Sequence, residues 1–531
     1  MPPYPAPEAA RRAGPREWTG LAVLTLPLLL IALDISVLYL AAPHLSADLR
    51  PSATQSLWIM DIYGFLIAGF LVTMGTLGDR IGRRRLLLAG GFTFAVASVL
   101  TAYSVNAEML IASRALLGIA GATLMPSTLA LISTMFRDGG QRSFAIALWM
   151  TAMSVGVAVG PLVGGVMLEH FWWGSVFLLA VPVMAVLVVA GPFLLPEFRD
   201  PEPGRLDLPS IALSLAALLP LVYALKQTAA HGPGPDAVLA LIAGLVAGRS
   251  FIRRQLRLPD PVLDMSLFAN RAFSAALVLL MFGLLAVNGL EYLNPQFLQM
   301  VAGMTPLKAG VYMLPIVLAA TVGSLAAPFL ARRFGHAHVM AAGTLIAVAG
   351  FVLVTRADST GGVTALVTGS AIAVLGISPT PVLTTDLVVA TAPQEKAGSA
   401  AALSETSGEL GVGLGVAVAG SIVAAVYGPR IEALPEAPGA AAEDLAGAVT
   451  TAPELPPAAA AELLTTARDA FTDGVHAVAW TGAALMLLLS ACAFLLLRSV
   501  RPPGTEPPGP GTDGTADTGT AAEPPRTRAG T

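Results

Sequence analysis

LIAGFLVTMGTLGDRIGRRRLLLAGGFTFAVASVLTA, residues 66–102, decides the fold. Two apolar runs flank a short loop that holds Asp79, Arg80, Arg83, Arg84 and Arg85. A bilayer's hydrocarbon core takes about 20 apolar residues per helix, so this stretch reads as two membrane spans joined by a basic turn. Working outward, the alternation recurs, and spans are predicted to start near residues 20, 55, 86, 108, 144, 175, 208, 236, 272, 307, 339, 363, 399 and 474. Composition agrees: 55% of residues are hydrophobic and 12% charged, and the mean hydropathy is +0.73. A soluble globular chain of 531 residues is excluded. The expectation is an all-α polytopic membrane protein of 14 transmembrane helices.

Sidedness follows from the basic residues. Arg11, Arg12, Arg80, Arg83 to Arg85, Arg137, Arg142, Arg253, Arg254, Arg257, Arg332, Arg333, Lys396 and Arg498 fall on one side of this scheme, which the positive-inside rule makes cytoplasmic. Both termini are then cytoplasmic, and span one is too long for a cleaved signal peptide. Residues 428–473 are rich in Ala, Pro and Glu and read as an outer loop. Its apolar runs, Leu445 to Val449 and Leu463 to Phe471, predict a short helical hairpin broken at Pro453, Pro456 and Pro457. The Pro/Gly/Thr-rich tail after residue 501 is expected to be disordered.

Several chemistries have no foothold. The three lysines follow Leu225, Leu307 and Glu395, so no Walker A phosphate loop exists. No nucleophile elbow or zinc-binding His pair occurs, the six histidines are scattered, and the lone Cys492 can form no internal disulfide or thiolate metal site. Neither a catalytic site, a metal, a cofactor nor a nucleic-acid partner is predicted. An ion gradient remains as the energy source: one charge crossing the membrane is worth about 2.3 kcal/mol per 100 mV.

Carboxylates inside spans are therefore the informative residues, since each costs about 2.5–3.5 kcal/mol to insert at a bilayer centre. They are Asp34, Asp61, Glu291, Glu405 and Glu409, with one intramembrane cation, Arg114. Asp34 and Arg114 are placed at similar depth, as a gate or relay or as a static ion pair tying spans one and four. Asp61 follows Trp58 by three residues on one helix face, offering a carboxylate beside an indole, unless Trp58 belongs to the interfacial belt. Glu405 and Glu409 are one turn apart in a Gly-rich segment, so a proton and a cationic substrate would compete for them. Glu291, beside Tyr292, is a second cation site or faces outer water. Asp386 lies nearer the inner mouth and is expected to be solvated.

Two halves are related: Gly75-Thr-Leu-Gly-Asp79-Arg80-Ile-Gly82-Arg83 has a degraded echo in Pro328-Phe-Leu-Ala-Arg-Arg-Phe-Gly335-His. The first copy resembles the cytoplasmic loop motif of the major facilitator superfamily, a latch between moving bodies. Arg114-x-x-x-Gly118-x-x-Gly121 resembles the family's proton-coupling arginine motif, and Gly156-x-x-x-Gly160-Pro161-x-x-Gly164-Gly165 resembles its drug-antiporter motif. The span count, Leu33-Asp34 and Trp58-x-x-Asp61-x-Tyr63 make the chain similar to fourteen-span drug:proton antiporters, particularly quaternary-ammonium exporters. The resemblance covers residues 15 to 500.

It implies a major facilitator fold: a cytoplasmic N-terminal segment (1–17), a six-helix bundle (18–200), two inserted helices with a linker (201–270), a second six-helix bundle (271–500) and a tail (501–531). It also implies a monomeric proton-coupled exporter of hydrophobic cations in a bacterial cytoplasmic membrane, with protons, membrane lipids and cationic small molecules as partners. Asp34, Arg114, Glu405 and Glu409 would couple protons, and Trp58, Asp61, Tyr63, Glu291, Tyr292, Glu405 and Glu409 would meet substrate. Gly75, Asp79, Arg80, Gly82, Arg83, Gly156, Gly160, Pro161 and Gly164 would serve conformational change. Export of one natural product or antibiotic is an alternative, and symport import a third reading that the Gly160-Pro161 motif disfavours. One departure stands out: the span from Leu307 to Leu330 lacks the acid that some quaternary-ammonium exporters use for divalent cations, and carries only Lys308 at its edge.

Overall fold

The computed structural model describes residues 13–197, 199, 207–232, 234–258, 261, 265–359, 361–391, 397–434 and 439–497. Arg11, Arg12, Lys396, Arg498 and the tail 501–531 lie outside the described residues, as do the side chains of Asp386 and Glu405.

No strand occurs among the described residues. Lipid offers backbone groups no partners, so each apolar run closes its own hydrogen bonds as a helix. The first seven helices are α1 (Pro15–Leu49), α2 (Ala53–Ile81), α3 (Arg83–Ala102), α4 (Ala107–Met135), α5 (Gly139–His170), α6 (Ser175–Leu178) and α7 (Ala180–Leu194). A pair follows, α8 (Leu208–His231) and α9 (Pro235–Gln255). The remainder are α10 (Arg271–Gln296), α11 (Pro306–Phe334), α12 (His336–Val354), α13 (Val363–Ile377), α14 (Pro379–Thr391), α15 (Ala397–Glu432), α16 (Gly439–Glu443), α17 (Leu445–Thr451) and α18 (Pro457–Leu497).

Their starts are set by side chains that accept the orphan N–H groups of the first turn: Ser52 from Gln55 at 3.2 Å, Asn106 from Met109 at 2.8 Å and Asp138 from Gln141 at 2.9 Å. The turns between α2 and α3 and between α11 and α12 each consist of one glycine, Gly82 at φ 111° and Gly335 at φ 82°. An L side chain rarely adopts either angle, so the two copies of the repeated motif make the same tight reversal.

Twelve helices among the described residues are long and apolar enough to cross a membrane, with α6 and α7 counting as one span and α13 and α14 as another. The bent α5, which turns 41° between Phe144–Val157 and Val159–His170, makes a thirteenth. The fourteenth expected span is α8, whose described apolar stretch, Leu208–Ala224, is shorter. One expectation is corrected. The Leu463–Phe471 run is no separate hairpin arm, because α18 continues unbroken from Pro457 into the last span. Pro457 stands at the very start of that helix, where a missing N–H costs nothing.

Helices α1 to α7 pack mainly on one another, as do α10 to α18, and the two sets meet along two seams, α5 with α11 and α2 with α15. Between lipid-exposed helices association relies on close backbone approach, which small residues permit. A Cβ on Gly310 of α11 would stand 2.3 Å from the Pro161 carbonyl of α5. One on Gly413 of α15 would stand 2.6 Å from the Phe65 ring of α2. The α8–α9 pair, joined by an Arg254–Asp207 ion pair at 2.7 Å, leans through α8 on both α2 and α15.

Candidate transport site

Arg114 is the anchor of the site. At 1% exposure it is the largest fully buried side chain among the described residues. One guanidinium nitrogen donates to Asp34 Oδ2 of α1 at 2.8 Å, and Nε donates to the Ile59 carbonyl of α2 at 3.2 Å. The Tyr63 and Phe177 rings lie 4.7 and 5.9 Å from the guanidinium carbon. The expected pairing of spans one and four is thus present, and Tyr63 forms a wall of the arginine's socket. The glycines of the arginine motif make that socket. A Cβ on Gly118 would stand 2.6 Å from the Tyr63 carbonyl, and one on Gly121 would sit 3.5 Å from Tyr63 Oη.

The other acids gather around two buried tyrosines. Asp61 of α2 is 2% exposed, while Trp58, one turn earlier, is half-buried. Tyr39 of α1 packs edge-on to Tyr292 of α10, ring centres 5.9 Å apart, and the charges acting on its hydroxyl include Asp61, Glu291 and Arg114. Those acting on Tyr63 are Asp34, Arg114 and Glu409. Glu291 is half-buried. Glu409 is half-buried too, and its Oε2 lies 3.6 Å from where a Gly64 Cβ would stand, which puts the carboxylate of α15 against the backbone of α2. Glu405 lies one turn before it on α15. Acids from both helix sets, α1 and α2 on one side and α10 and α15 on the other, therefore converge. No group of His, Cys, Asp and Glu among the described residues has the arrangement of a metal site.

At the end opposite the basic turns, Gln299 donates to the Leu40 carbonyl across the two sets at 2.9 Å. Gly165 of α5 approaches Leu307 of α11, where a Cβ would come within 2.7 Å of its Cα. A cavity of about 60 Å³, bordered by Tyr292, Ser421, Tyr427 and Asp444, remains there, space for a few waters. Above it α16 and α17 form a cap. Tyr427 Oη lies 3.0 Å from the carbonyls of both Ala441 and Asp444, and Asp444 accepts from the Gly447 N–H at 2.7 Å. Burial, reinforced by Glu443, pushes the Asp444 carboxyl up to about 6 against the Gly447 and Ala446 N–H groups.

The residues of the loop motif and of the α5 motif lie at the basic turn and along the helix contacts. In the basic turn Asp79 pairs with Arg83 at 2.6 Å, and the Arg84 N–H donates to Glu197 at 3.2 Å. The Arg84 side chain donates to the Leu195 carbonyl at 3.0 Å, which fastens the turn to the end of α7. Gly75 is half-buried and Arg80 exposed. In α5, a Cβ on Gly156 would stand 2.3 Å from the Leu29 carbonyl and one on Gly164 3.1 Å from Val37. Gly160 and Pro161 lie between, so the α5 motif packs on α1 along one side and on α11 across the seam.

Tyr39 and Glu197 were not singled out from sequence. Tyr39 is an ordinary aromatic within an apolar run, and Glu197 is 113 residues from its partner Arg84, with nothing local to link them.

Two bundles of apolar helices, with carboxylates from both sets where they meet, have the architecture of a multi-pass membrane transporter. The chain belongs to the Major Facilitator Superfamily, whose family model matches residues 24–416. It is 43% identical, over 92% of its length and 97% of the relative's, to the multidrug efflux pump LfrA of Mycolicibacterium smegmatis. It is 38% identical, over 90% and 97%, to the methyl viologen resistance protein SmvA of Salmonella typhimurium. Among solved structures, a bacterial homologue of the lysosomal transporter Spinster, inward-facing and occupied, matches 92% of this chain and 98% of its own with a TM-score of 0.64 at 17% identity.

Proposed function

We propose that this protein exports hydrophobic organic cations, quaternary ammonium compounds and cationic dyes among them, in exchange for protons across a bacterial cytoplasmic membrane. Its termini are cytoplasmic in this reading. The observation that carries it is the convergence of Asp34, Asp61, Glu291 and Glu409 from four helices around Tyr39, Tyr63 and the buried cation Arg114. A proton or an organic cation can neutralise those carboxylates, and aromatic faces suit a delocalised cation. Because the acids come from both helix sets, occupancy by either partner changes how the sets attract one another. Alternating access then follows as rocking about the two glycine-lined seams. The names of the relatives, a multidrug efflux pump and a methyl viologen resistance protein, support the substrate class.

The test is ethidium efflux from energised cells expressing the chain, with and without a protonophore, beside Asp34→Asn and Glu409→Gln. Protonophore-sensitive efflux lost in both variants is the expected result. Efflux that persists after the gradient is collapsed would refute proton coupling, and ethidium retained by a well-expressed wild type would refute the cation assignment.

A further inference from the structure

The two equivalent turns at the basic end differ in charge. In the first, Asp79 answers Arg83 and Glu197 answers Arg84 and Arg85. In the second, the places of Asp79 and Arg83 are taken by Arg332 and His336, and no Asp or Glu occurs from Tyr292 to Ala357. Arg332 and Arg333 are exposed, and among the described residues no carboxylate pairs with either. Arg333 leans on the Phe334 ring, 5.6 Å from its centre.

Beside these cations α11 and α12 diverge, leaving a groove of about 740 Å³ walled by Val322, Ala326 and Ile346 and floored by Gly343 and Leu375, with Arg333 and His338 on its border. The floor is deep because α12 and α13 touch backbone to backbone: a Cβ on Gly343 would stand 2.3 Å from the Gly376 carbonyl. Leu325 and Phe329, exposed at 67% and 73%, continue the apolar surface on α11, so the groove opens toward the bilayer.

We propose that this groove is a binding site for an anionic phospholipid. One acyl chain lies between α11 and α12, and the phosphate is held by Arg333 with Arg332 and His338. An apolar slot with a basic rim selects a lipid with a net negative headgroup over a zwitterionic one. A free phosphate would leave the slot uncovered. On the positive-inside assignment the site faces the cytoplasmic leaflet, and it does not depend on what the protein exports.

The test is native mass spectrometry of the full-length protein, delipidated and exposed to phosphatidylglycerol or phosphatidylcholine of the same chain length. Preferential retention of phosphatidylglycerol is expected, falling about fivefold for each cation removed in Arg333→Gln and Arg332→Gln. Ala326→Phe, which fills the slot and leaves the cations in place, is expected to abolish the preference as well. Thermal unfolding in phosphatidylcholine checks that each variant is folded. Equal retention of the two lipids by the wild type would overturn the proposal. So would a preference that survives Ala326→Phe, since the lipid would then be held by surface charge and not by the groove.

Discussion

Replacing Asp34 by Asn separates the two meanings of the Asp34–Arg114 pair. The substitution keeps a side-chain oxygen 2.8 Å from the guanidinium but removes its countercharge. Arg114, 1% exposed, cannot recruit water, whereas Asp34 at 12% can. Breaking a buried ion pair typically costs about 3–5 kcal/mol. The Tyr63 and Phe177 faces stay in place and offset roughly 1–2 kcal/mol of that, so Asp34→Asn is expected to destabilise the protein by about 1–4 kcal/mol. Arg114→Gln should cost less, because the carboxylate it strands reaches solvent. The double variant, with no stranded charge, should be more stable than Asp34→Asn alone, with a coupling energy of about 1–3 kcal/mol. Unfolding by SDS from mixed micelles measures all four corners of this cycle, and ethidium efflux is measured on the same proteins. If the two single losses simply add, the guanidinium is not held by Asp34 and the reasoning fails. If the double variant regains stability and also pumps like the wild type, the pair is only a structural tie between α1 and α4. Regained stability without protonophore-sensitive efflux places it in the coupling step.

Glu291→Gln should impair efflux of the dication methyl viologen more than that of monovalent ethidium, since α11 carries no acid and Glu291 with Asp61 is the remaining pair around Tyr39; equal losses in paired efflux assays would remove the distinction. Gly310→Leu places a side chain where even a Cβ comes within 2.3 Å of the Pro161 carbonyl, so transport should fall at least tenfold, roughly, while surface expression persists if α5 and α11 can separate. Wild-type rates in that variant would show that the seam is looser than drawn. The cap should dock more firmly in acid. Asp444 has its pKa raised to about 6 from an ordinary 3.8, so the folded cap favours the protonated acid, and stability rises as pH falls from above 6 toward 4. Hydrogen exchange over residues 439–451 should slow between pH 8 and pH 5, and Asp444→Asn, which can still cap α17, should flatten that dependence. Exchange that retains its full pH response in Asp444→Asn, after correction for intrinsic rates, would assign the effect elsewhere.

Most of the helices were legible in the sequence because hydrocarbon imposes a single rule: a span must be apolar for about 20 residues. The expected starts near 55, 86 and 108 fall within three residues of the first residues of α2, α3 and α4, Ala53, Arg83 and Ala107. The rule weakens outside lipid, which is why the Leu463–Phe471 run reads as separate from a last span expected near 474, whereas α18 runs unbroken from Pro457 through both. At the site, Asp34 with Arg114 was legible since two opposite charges in lipid must find each other. Tyr39 was not, because nothing in an apolar run marks which aromatic faces the seam. Nor was Glu197, whose tie to Arg84 is a product of the tertiary fold. The divergence of α11 from α12 was equally hidden, since both sequences are uniformly apolar.

The glycines explain why the acids and the seams belong to one device. On α15, Gly413 and Gly420 bring the helix against Phe65 and Leu57 of α2, while Gly411 and Gly415 bring it against the Met281 and Leu285 carbonyls of α10. Glu409 lies on the same helix and faces Gly64 of α2. A shift of α15 relative to α2 must therefore move Glu409 relative to Asp34 and Arg114, because no flexible segment separates the carboxylate from the contact that slides. The α5 motif has the complementary property: it is packed backbone-close to α1, which carries Asp34, and to α11, across the other seam. In the proposed exchange, charge at the centre and sliding at the seams are thus linked through single rigid helices on both sides. Neutralising a carboxylate would then bias the rocking equilibrium by as much as the affinity for the proton or cation differs between the two arrangements.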